Sequence, residues 1–463
     1  MYSILFLSVT GLIMLFLGLS KSTARLLPFQ ILCMLGAIAA LFIDYNAPGL
    51  YFNSMIEINN SVLLVQFVLL LTGLLIAGIS AKQFDDQNAH PAEYYAIMQF
   101  AIVGALIMVS FKNYIMLFVG LEILSVGLYV LTGSDKRNLR GNEAAIKYFL
   151  MGSFATGILL FGIAMLYGAT GSFALEMGSA MINKSPEVKV FFWIGMLFTS
   201  VGLLFKISAV PFHFWTADVY QGAPSVFTAF MAAIVKTAGI FAIFRIFSTT
   251  FAFEYSNWSN FILVIIILSI VVGNITAVFQ TNFKRTLAFS SISQAGFLLL
   301  SIIGLGTHSQ GNLAFYALSY SMATVSAFGV FLAVRANQLE NGRPSEDFNV
   351  FEGLYKKNPF LGIVLTISML SLAGIPLTSG FWSKFFVLND AASHGYFWVL
   401  IIGALMSAVS LYYYFKPIRA AFQTSSNTAA YELPAVTKYA LAVSTLLTIL
   451  FGLAPDLFRN LFL

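Results

Sequence analysis

Long apolar stretches alternate with short polar gaps along the whole chain. Runs of about 20 apolar residues can cross a hydrocarbon core roughly 30 Å thick as α-helices. The pattern predicts fourteen spans, numbered here in chain order, near residues 2–20, 27–43, 61–80, 94–111, 113–132, 143–168, 190–215, 223–249, 260–280, 286–305, 311–335, 359–388, 396–415 and 436–455. We therefore expect an all-α polytopic membrane protein of about 14 transmembrane helices.

The remaining segments are short and polar. The longest gap, 336–358, is typical of a surface loop, and the gaps at 169–189 and 416–435 are similar. The first twenty residues lack the basic start of a signal peptide, because Lys21 and Arg25 follow the apolar stretch. We therefore expect span 1 to be retained, with its N-terminus outside.

The basic residues of the gaps favour one side of the membrane. With the N-terminus outside, fifteen lie on the inner side: Lys21, Arg25, Lys82, Lys136, Arg137, Arg140, Lys284, Arg285, Arg335, Arg343, Lys356, Lys357, Lys416, Arg419 and Lys438. Four lie on the outer side: Lys112, Lys184, Lys189 and Arg459. This positive-inside bias predicts a multi-pass membrane protein with both termini on the outer side. Removing one span would destroy the bias, which supports fourteen.

The composition of the chain is typical of a protein that is surrounded by lipid. Of 463 residues, 59% are hydrophobic and only 9% are charged, too few to cover a soluble protein of this length. The net charge of +5 does not indicate nucleic acid, because the basic residues form no stripe. The single cysteine, Cys33, excludes a thiolate-ligated cluster, and the four histidines lack metal-ligand spacing. We expect the chain itself to bind no metal and no cofactor.

Two spans contain a proline in a similar context. Span 7 carries AVPFHFW around Pro211, and span 12 carries GIPLTSGFW around Pro376. Each proline frees the carbonyl about four residues earlier, near Ile207 and Leu372, so both helices should be discontinuous. Because the breaks lie five spans apart, and an odd repeat inverts topology, spans 4–8 and 9–13 are predicted to form inverted five-helix repeats. The alternative is that the prolines simply kink two unrelated helices.

This repeat hypothesis gives the expected organisation of the chain. It divides the sequence into the N-terminal spans (1–93), the first repeat (94–249), the second repeat (260–420) and the C-terminal span (421–463).

Several ionisable residues lie inside the predicted spans. Among the nineteen acids only Glu122 is near the middle of one, and the embedded basic residues are Lys147, Lys206, Lys236, Arg245 and Lys384. A charge at mid-bilayer costs roughly 2.5–3.5 kcal/mol on insertion scales. Glu122, Lys206 and Lys236 together would cost on the order of 10 kcal/mol, so they must be paired, hydrated or neutralised.

Glu122, Lys206 and Lys236 are candidates for a proton relay. Burial disfavours the charged form of an ionisable group, whereas an adjacent opposite charge favours it. A buried lysine whose carboxylate partner can move is therefore switched between holding and releasing a proton. The alternative is structural, with each group simply bonded to a neighbouring helix.

Four other residues are weaker candidates on position alone. Lys384 lies toward the outer end of span 12, where a lysine can snorkel, and Lys147 can be an inner anchor. His213 and His308 lie near span ends and can be ordinary hydrogen-bonding residues. We retain Lys147, His213 and His308 as candidate accessory relay residues.

Several stretches carry a family resemblance. The most specific runs from Lys206 to Lys236 and reads KISAVPFHFWTADVYQGAPSVFTAFMAAIVK; the others are the segment around Glu122, EAAIKYFL at 143–150 and NFKRTLAFSSI at 282–292. With these, the whole chain resembles the antiporter-like membrane subunits of proton-pumping NADH–quinone oxidoreductase (respiratory complex I). The N-type subunits fit best, because M-type subunits have a glutamate in span 12 and L-type subunits continue into a lateral helix. Ala217 departs from the family pattern, in which a proline often stands directly before the aspartate, here Asp218.

The resemblance implies fourteen helices, two inverted repeats and a proton path along the membrane midplane. It also implies a bacterial inner membrane, so that both outer termini would be periplasmic. It assigns the relay to Glu122, Lys206, Lys236 and Lys384. It also implies a subunit without redox chemistry of its own, in a complex that uses FMN, iron–sulfur clusters, NADH and quinone on other subunits. The expected partners are the lipid bilayer, peripheral subunits and neighbouring antiporter-like subunits, with no nucleic acid. A cation/proton antiporter or membrane-bound hydrogenase subunit is the alternative, since those proteins resemble the same family.

Overall fold

The structure is a computed structural model that describes residues 1–19, 23–84, 90–181, 184–306, 308–338, 345–424 and 430–459. Lys21 and Arg343, both counted on the inner side above, lie outside these ranges. The α-helices in the described residues are α1 (Tyr2–Leu17), α2 (Leu26–Tyr45), α3 (Asn60–Ile79), α4 (Pro91–Ser110), α5 (Tyr114–Thr132), α6 (Leu139–Thr170), α7 (Pro186–Lys206), α8 (Thr216–Gly222), α9 (Ser225–Phe230), α10 (Lys236–Ser248), α11 (Tyr255–Val278), α12 (Phe283–Ile303), α13 (Ser309–Gln338), α14 (Leu354–Lys357), α15 (Pro359–Ala373), α16 (Ser379–Ser393), α17 (Phe397–Phe422), α18 (Ala435–Leu453) and α19 (Asp456–Arg459).

The helices confirm the predicted membrane architecture. Within the described residues, 12 helical segments are long and apolar enough to cross a bilayer, and α1 and α15 are shorter apolar helices. Each predicted span overlaps one of these segments. Helices α9 and α10 form one span, because a π-helical turn over Met231–Val235 joins them. The inverted relation of the two repeats stays a prediction.

Spans 7 and 12 are discontinuous, as the prolines predicted. Span 7 consists of α7, a non-helical segment over 207–215 and α8, whereas span 12 consists of α15, a non-helical segment over 374–378 and α16. Each segment contains one non-glycine residue in the left-handed region, Ser208 (φ 63°) and Leu377 (φ 75°). The backbone therefore leaves the helical path at both breaks.

Two features differ from the expected pattern. Strands β1 (Gly49–Tyr51) and β2 (Ile56–Ile58) form a small antiparallel hairpin that apolar periodicity did not predict. The gap at 336–358 is not simply a surface loop, since a 3₁₀ helix over Phe348–Phe351 buries Phe351 completely. Its ring packs against Phe283 of α12, with centroids 4.9 Å apart. Apolar residues inside a polar segment can thus reach the core.

The centre of the bundle is formed by α9–α10, α12 and α13. The apolar stretch of each of the spans Ser225–Ser248 and Ser309–Gln338 is wholly buried, whereas most of the apolar stretch of α2, α6 and α17 is not. The molecule has two faces. Met1 binds Asp44 at the end of α2, and this face, where odd-numbered spans begin, is called the N-terminal face. The other, where α6 and α12 begin, is called the opposite face.

Candidate functional site

Four lysines of the described residues are buried: Lys284, which pairs with Glu346 at 3.7 Å on the opposite face, and three that lie inside the bundle. Lys206, Lys236 and Lys384 are only 4%, 2% and 6% exposed. In the part of the chain that the structure describes, no carboxylate lies within the 4.0 Å of an ion pair from any of the three ammonium groups. Hydroxyl and carbonyl oxygens bind them instead, so each charge is solvated by neutral groups of the protein.

Lys206 is the last residue of α7, directly before the break of span 7. Its Nζ donates to Ser125 Oγ of α5 at 2.7 Å and to the Tyr148 hydroxyl of α6 at 3.2 Å. The Tyr148 ring stacks on Trp215, with centroids 4.7 Å apart. Trp215 Nε1 donates in turn to the Phe205 carbonyl at 3.2 Å. A carbonyl in the last turn of α7 is thus satisfied by the tryptophan that follows the proline.

Glu122 lies one helical turn before Ser125 on α5. It is close enough for its charge to act on Lys206, but the two side chains form no ion pair. Its buried Oε1 has no hydrogen-bond partner among the described residues. Glu122 and Lys206 are therefore not paired in this conformation, and the hydroxyls of Ser125 and Tyr148 hold the ammonium.

Lys236 lies directly after the π-helical turn of span 8. Its Nζ donates to both the backbone carbonyl and the Oγ of Ser291 on α12. The Tyr220 hydroxyl of α8 lies 3.4 Å from the same Oγ, and the Tyr320 ring lies 5.9 Å from the ammonium. Ser291 consequently joins α8, α10 and α12 at one point.

Lys384 turns back toward the break of span 12. Its Nζ donates to the Ala373 carbonyl at 2.8 Å and lies 5.2 Å from the centre of the Phe297 ring. The neighbouring Leu372 carbonyl, which the sequence predicted to be freed by proline, accepts from Gln294 Nε2 at 3.0 Å. Lys384 does not snorkel, because the break supplies the acceptor that its ammonium needs.

Polar side chains fill the space between Lys236 and Lys384. Tyr316 donates to Gln294 Oε1, and Gln294 Nε2 lies 3.3 Å from the Tyr414 hydroxyl. A cavity of about 10 Å³, roughly the size of one water molecule, is lined by Gln294, Tyr316, Ser319, Tyr320, Ala323, Ser371, Leu372, Gly380, Ser383 and Lys384. The cavity reaches from the ring above Lys236 to the side chain of Lys384.

The three accessory candidates lie away from the buried lysines. Lys147, 41% exposed, pairs with Asp218 at 2.9 Å, and Asp218 also pairs with Arg285 at 2.9 Å on the opposite face. His213 lies in the break of span 7, and its Nδ1 has no partner among the described residues. His308 lines a cavity on the N-terminal face. Whether any of the three carries protons stays a prediction.

Arg245 lies near the outer end of span 8, where a basic side chain can snorkel, but it binds partners within the protein. It forms an ion pair with Glu57 of β2 and donates to the Val109 carbonyl at 3.3 Å. The unpredicted hairpin thus supplies the carboxylate that compensates this cation.

Sequence reasoning missed the polar groups that connect the buried lysines. These are Ser125, Tyr148, Tyr220, Ser291, Gln294, Tyr316, Tyr320 and Tyr414. Hydroxyl residues are common in membrane helices, and most bond to a carbonyl of their own helix. Only the packing shows which of them face a lysine, although the density of serines at 290–293 was a visible signal.

Comparisons with known proteins point to one group. The family model described as NADH:quinone oxidoreductase/Mrp antiporter, TM, matches residues 112–410. A protein named NADH-quinone oxidoreductase subunit N from Flavobacterium johnsoniae is 40% identical, with 94% of each chain covered. One of the same name from Cytophaga hutchinsonii is 38% identical and covers 99% of this chain and 98% of its own.

Solved structures give the same result. A chain of respiratory complex I from Thermus thermophilus with bound aureothin is 30% identical, with a TM-score of 0.84 over 99% of this chain and 98% of its own. A chain of the Mrp complex from Dietzia sp. has a TM-score of 0.86 over 99% of this chain and 95% of its own. At 20% identity, the second likeness shows the fold alone.

Proposed function

Because the chain belongs to the NADH:quinone oxidoreductase/Mrp antiporter family of membrane subunits, we propose that it is the N subunit of a proton-pumping NADH–quinone oxidoreductase. Relatives of nearly equal length carry that name at 40% and 38% identity. The alternative of a cation/proton antiporter subunit has the weaker support, since the Mrp chain is only 20% identical.

One observation supports a proton-carrying role above the others: among the described residues, three buried ammonium groups are bound by neutral oxygens alone. An ionisable side chain inside a membrane is a candidate functional group by default, and proton relays are among the roles that such groups have. Hydroxyl groups can donate as well as accept, so Ser125, Tyr148 and Ser291 can bind a lysine in its protonated or its neutral form. Such surroundings allow a lysine to lose and regain a proton without a partner being left unpaired.

The proposed path runs through the bundle from Glu122 to Lys384. Movement of Glu122 toward or away from Lys206 changes the affinity of that lysine for its proton. Lys206 then passes the proton through Tyr148, Tyr220 and Ser291 to the neutral form of Lys236. In each transfer one N–H or O–H bond breaks as the next one forms, so no oxidant or reductant is needed within this chain.

The second half of the path uses the groups around the break of span 12. The proton leaves Lys236 past Tyr320, crosses the water-sized cavity beside Gln294 and reaches Lys384. Lys384 then releases it toward the N-terminal face, which the loop charges predict to be the outer face. The energy comes from electron transfer between NADH and quinone in other subunits. We place the flavin and iron–sulfur clusters there too, because one buried cysteine, Cys33, cannot ligate a cluster.

The role of Lys206 is tested in the assembled complex. Lys206→Ala should lower NADH-driven proton pumping at least tenfold, because the first lysine of the path is lost. Lys112→Ala is the matched control, since Lys112 pairs with Glu176 at 3.0 Å on the N-terminal face. Inverted membrane vesicles allow a pH-sensitive dye and quinone reduction to be followed together. Undiminished coupled pumping in Lys206→Ala vesicles would contradict the proposal.

A further inference from the structure

A second polar cavity opens on the N-terminal face, where α12, α13 and α16 meet. Its volume is about 370 Å³, enough for several water molecules. Its titratable and cationic lining consists of His308, Asp390, His394 and Arg459. Of these, only His308 was singled out by the sequence. Two helices connect the cavity with the proposed path: α16 carries Asp390 and Lys384, and α13 carries Asn312 and Tyr316.

The carboxylate of Asp390 is hydrogen-bonded by the side-chain amide of a buried asparagine, Asn312. Asn312 Nδ2 donates to both carboxylate oxygens, at 2.9 and 2.8 Å. Asn312 is only 2% exposed, and its own Oδ1 has no partner among the described residues. Because an amide is both a donor and an acceptor, Asn312 can bind the carboxylate through its NH₂ group and, after rotation, the carboxylic acid through Oδ1. The pair therefore suits a group that changes its protonation state.

The other titratable and cationic groups of the cavity lining come from three separate segments. His308 precedes α13, His394 follows α16, and Arg459 ends α19. Arg459 lies over the Phe386 ring at 4.6 Å, and its NH1 atom lies 3.7 Å from Asp456. The cavity thus presents one carboxylate to water among cationic and titratable neighbours.

Lys384 lies six residues before Asp390 on the same helix. At 1.5 Å per residue the separation along the axis is about 9 Å. The Lys384 ammonium now points the other way, toward the Ala373 carbonyl. A swing of this flexible side chain, with one bridging water, would bring its proton to Asp390.

We propose that Asp390 accepts the proton from Lys384 and releases it into this cavity, so that Asp390 is the terminal group of the path. The inference rests on the proposed function. In the first step an N–H bond of Lys384 breaks and an O–H bond of Asp390 forms, so an ammonium and a carboxylate become an amine and a carboxylic acid. In the second step the acid gives its proton to cavity water and the carboxylate returns.

Three variants in the assembled complex test this assignment. Asp390→Asn should lower pumped protons per NADH oxidised at least threefold, whereas Asp390→Glu should keep most of the pumping because it restores a titratable group. Glu176→Gln is the matched control, an equal loss of charge at an exposed carboxylate of the same face that lies outside the cavity lining. If Asp390→Asn pumps normally while Lys206→Ala does not, this inference is overturned and the proposed function stands. Normal pumping in both variants overturns both.

A labelling experiment keeps the test independent of how well Asp390→Asn assembles. Asn389 is exposed and lines the cavity, and the native Cys33 is buried at 2% exposure. In the Asn389→Cys variant, a membrane-impermeant thiol reagent should label the chain in spheroplasts and not in inverted vesicles. Labelling in inverted vesicles alone would place the cavity on the wrong side for proton release and overturn the proposal.

Discussion

Ser291 is the point where the two halves of the proposed path meet, so its hydroxyl is the sharpest place to interrupt it. The Oγ atom accepts from Lys236 and lies within hydrogen-bond distance of Tyr220. The Ser291→Ala variant removes this oxygen and leaves the backbone carbonyl as the remaining partner of Lys236. The side chain is fully buried, so the lost oxygen is not replaced by bulk water.

The size of the effect follows from the bond that is lost. A hydrogen bond to a charged group contributes about 1.5–3 kcal/mol. If this stabilisation is lost in the transition state for proton transfer to Lys236, the step slows roughly 10- to 150-fold, because 1.36 kcal/mol corresponds to a factor of ten. The fold itself should lose only about 1–3 kcal/mol, which is typical of one buried hydrogen bond.

The same helix offers a matched control. Ser293 is also buried, and its Oγ accepts from Asn274 of α11 at 2.7 Å, away from the lysines. Ser293→Ala should therefore have a similar cost in stability and little effect on proton transfer. Pumping and quinone reduction in membrane vesicles, together with thermal inactivation of the complex, separate the two effects.

Two results would contradict this reasoning. Equal losses of pumping in Ser291→Ala and Ser293→Ala would show that packing, not the hydroxyl beside Lys236, decides the rate. Normal pumping in Ser291→Ala, with the complex fully assembled, would show that protons reach Lys236 by another route.

Two further predictions concern the breaks of spans 7 and 12. Gly380→Ala should destabilise the complex by about 3 kcal/mol, because a Cβ there would overlap the Ser371 carbonyl oxygen. Gly157→Ala, where a Cβ would have no atom within 4 Å, should stabilise it by about 0.5–1 kcal/mol. Thermal inactivation of the complex should therefore shift in opposite directions in the two variants, and equal shifts would contradict the prediction. Asp218→Asn should cost only about 1 kcal/mol of stability, because the ion pairs of Asp218 are part-exposed. It should nevertheless lower pumping severalfold by loosening α8, and Asp218→Glu should keep most of the pumping. If Asp218→Glu pumps no more protons than Asp218→Asn, the carboxylate is not what holds α8.

The spans and the breaks could be predicted because each depends on local sequence. Twenty apolar residues need lipid or protein around them wherever they lie, and Pro211 and Pro376 remove a donor in any context. The partner of the freed Leu372 carbonyl could not be predicted, since Gln294 comes from another helix 78 residues away. Similarly, the cost of burying Lys206 and Lys236 is visible in sequence, whereas the oxygens that offset it depend on helix packing.

Near the ends of a span, the position of a basic residue did not predict the direction of its side chain. Lys384 and Arg245 both lie where a basic side chain can snorkel, yet Lys384 turns inward to a break and Arg245 binds Glu57 of the hairpin. In each case a nearby acceptor in the protein competes with water at the membrane surface. Hydropathy does not include that competition, so the depth of Lys384 in its span did not predict that its ammonium turns inward.

The scarcity of carboxylates along the path bears on how it could be driven. If every buried lysine had its own carboxylate, each step would have to separate a buried ion pair, and leaving one partner uncompensated costs about 3–5 kcal/mol. Lys206, Lys236 and Lys384 are held by neutral oxygens instead, so a proton can move between them without separating such pairs. Glu122, the one acid near the middle of a span, approaches only the first lysine. A single movement of Glu122 would then bias the whole series, and this is the arrangement expected of a chain driven by chemistry in another subunit.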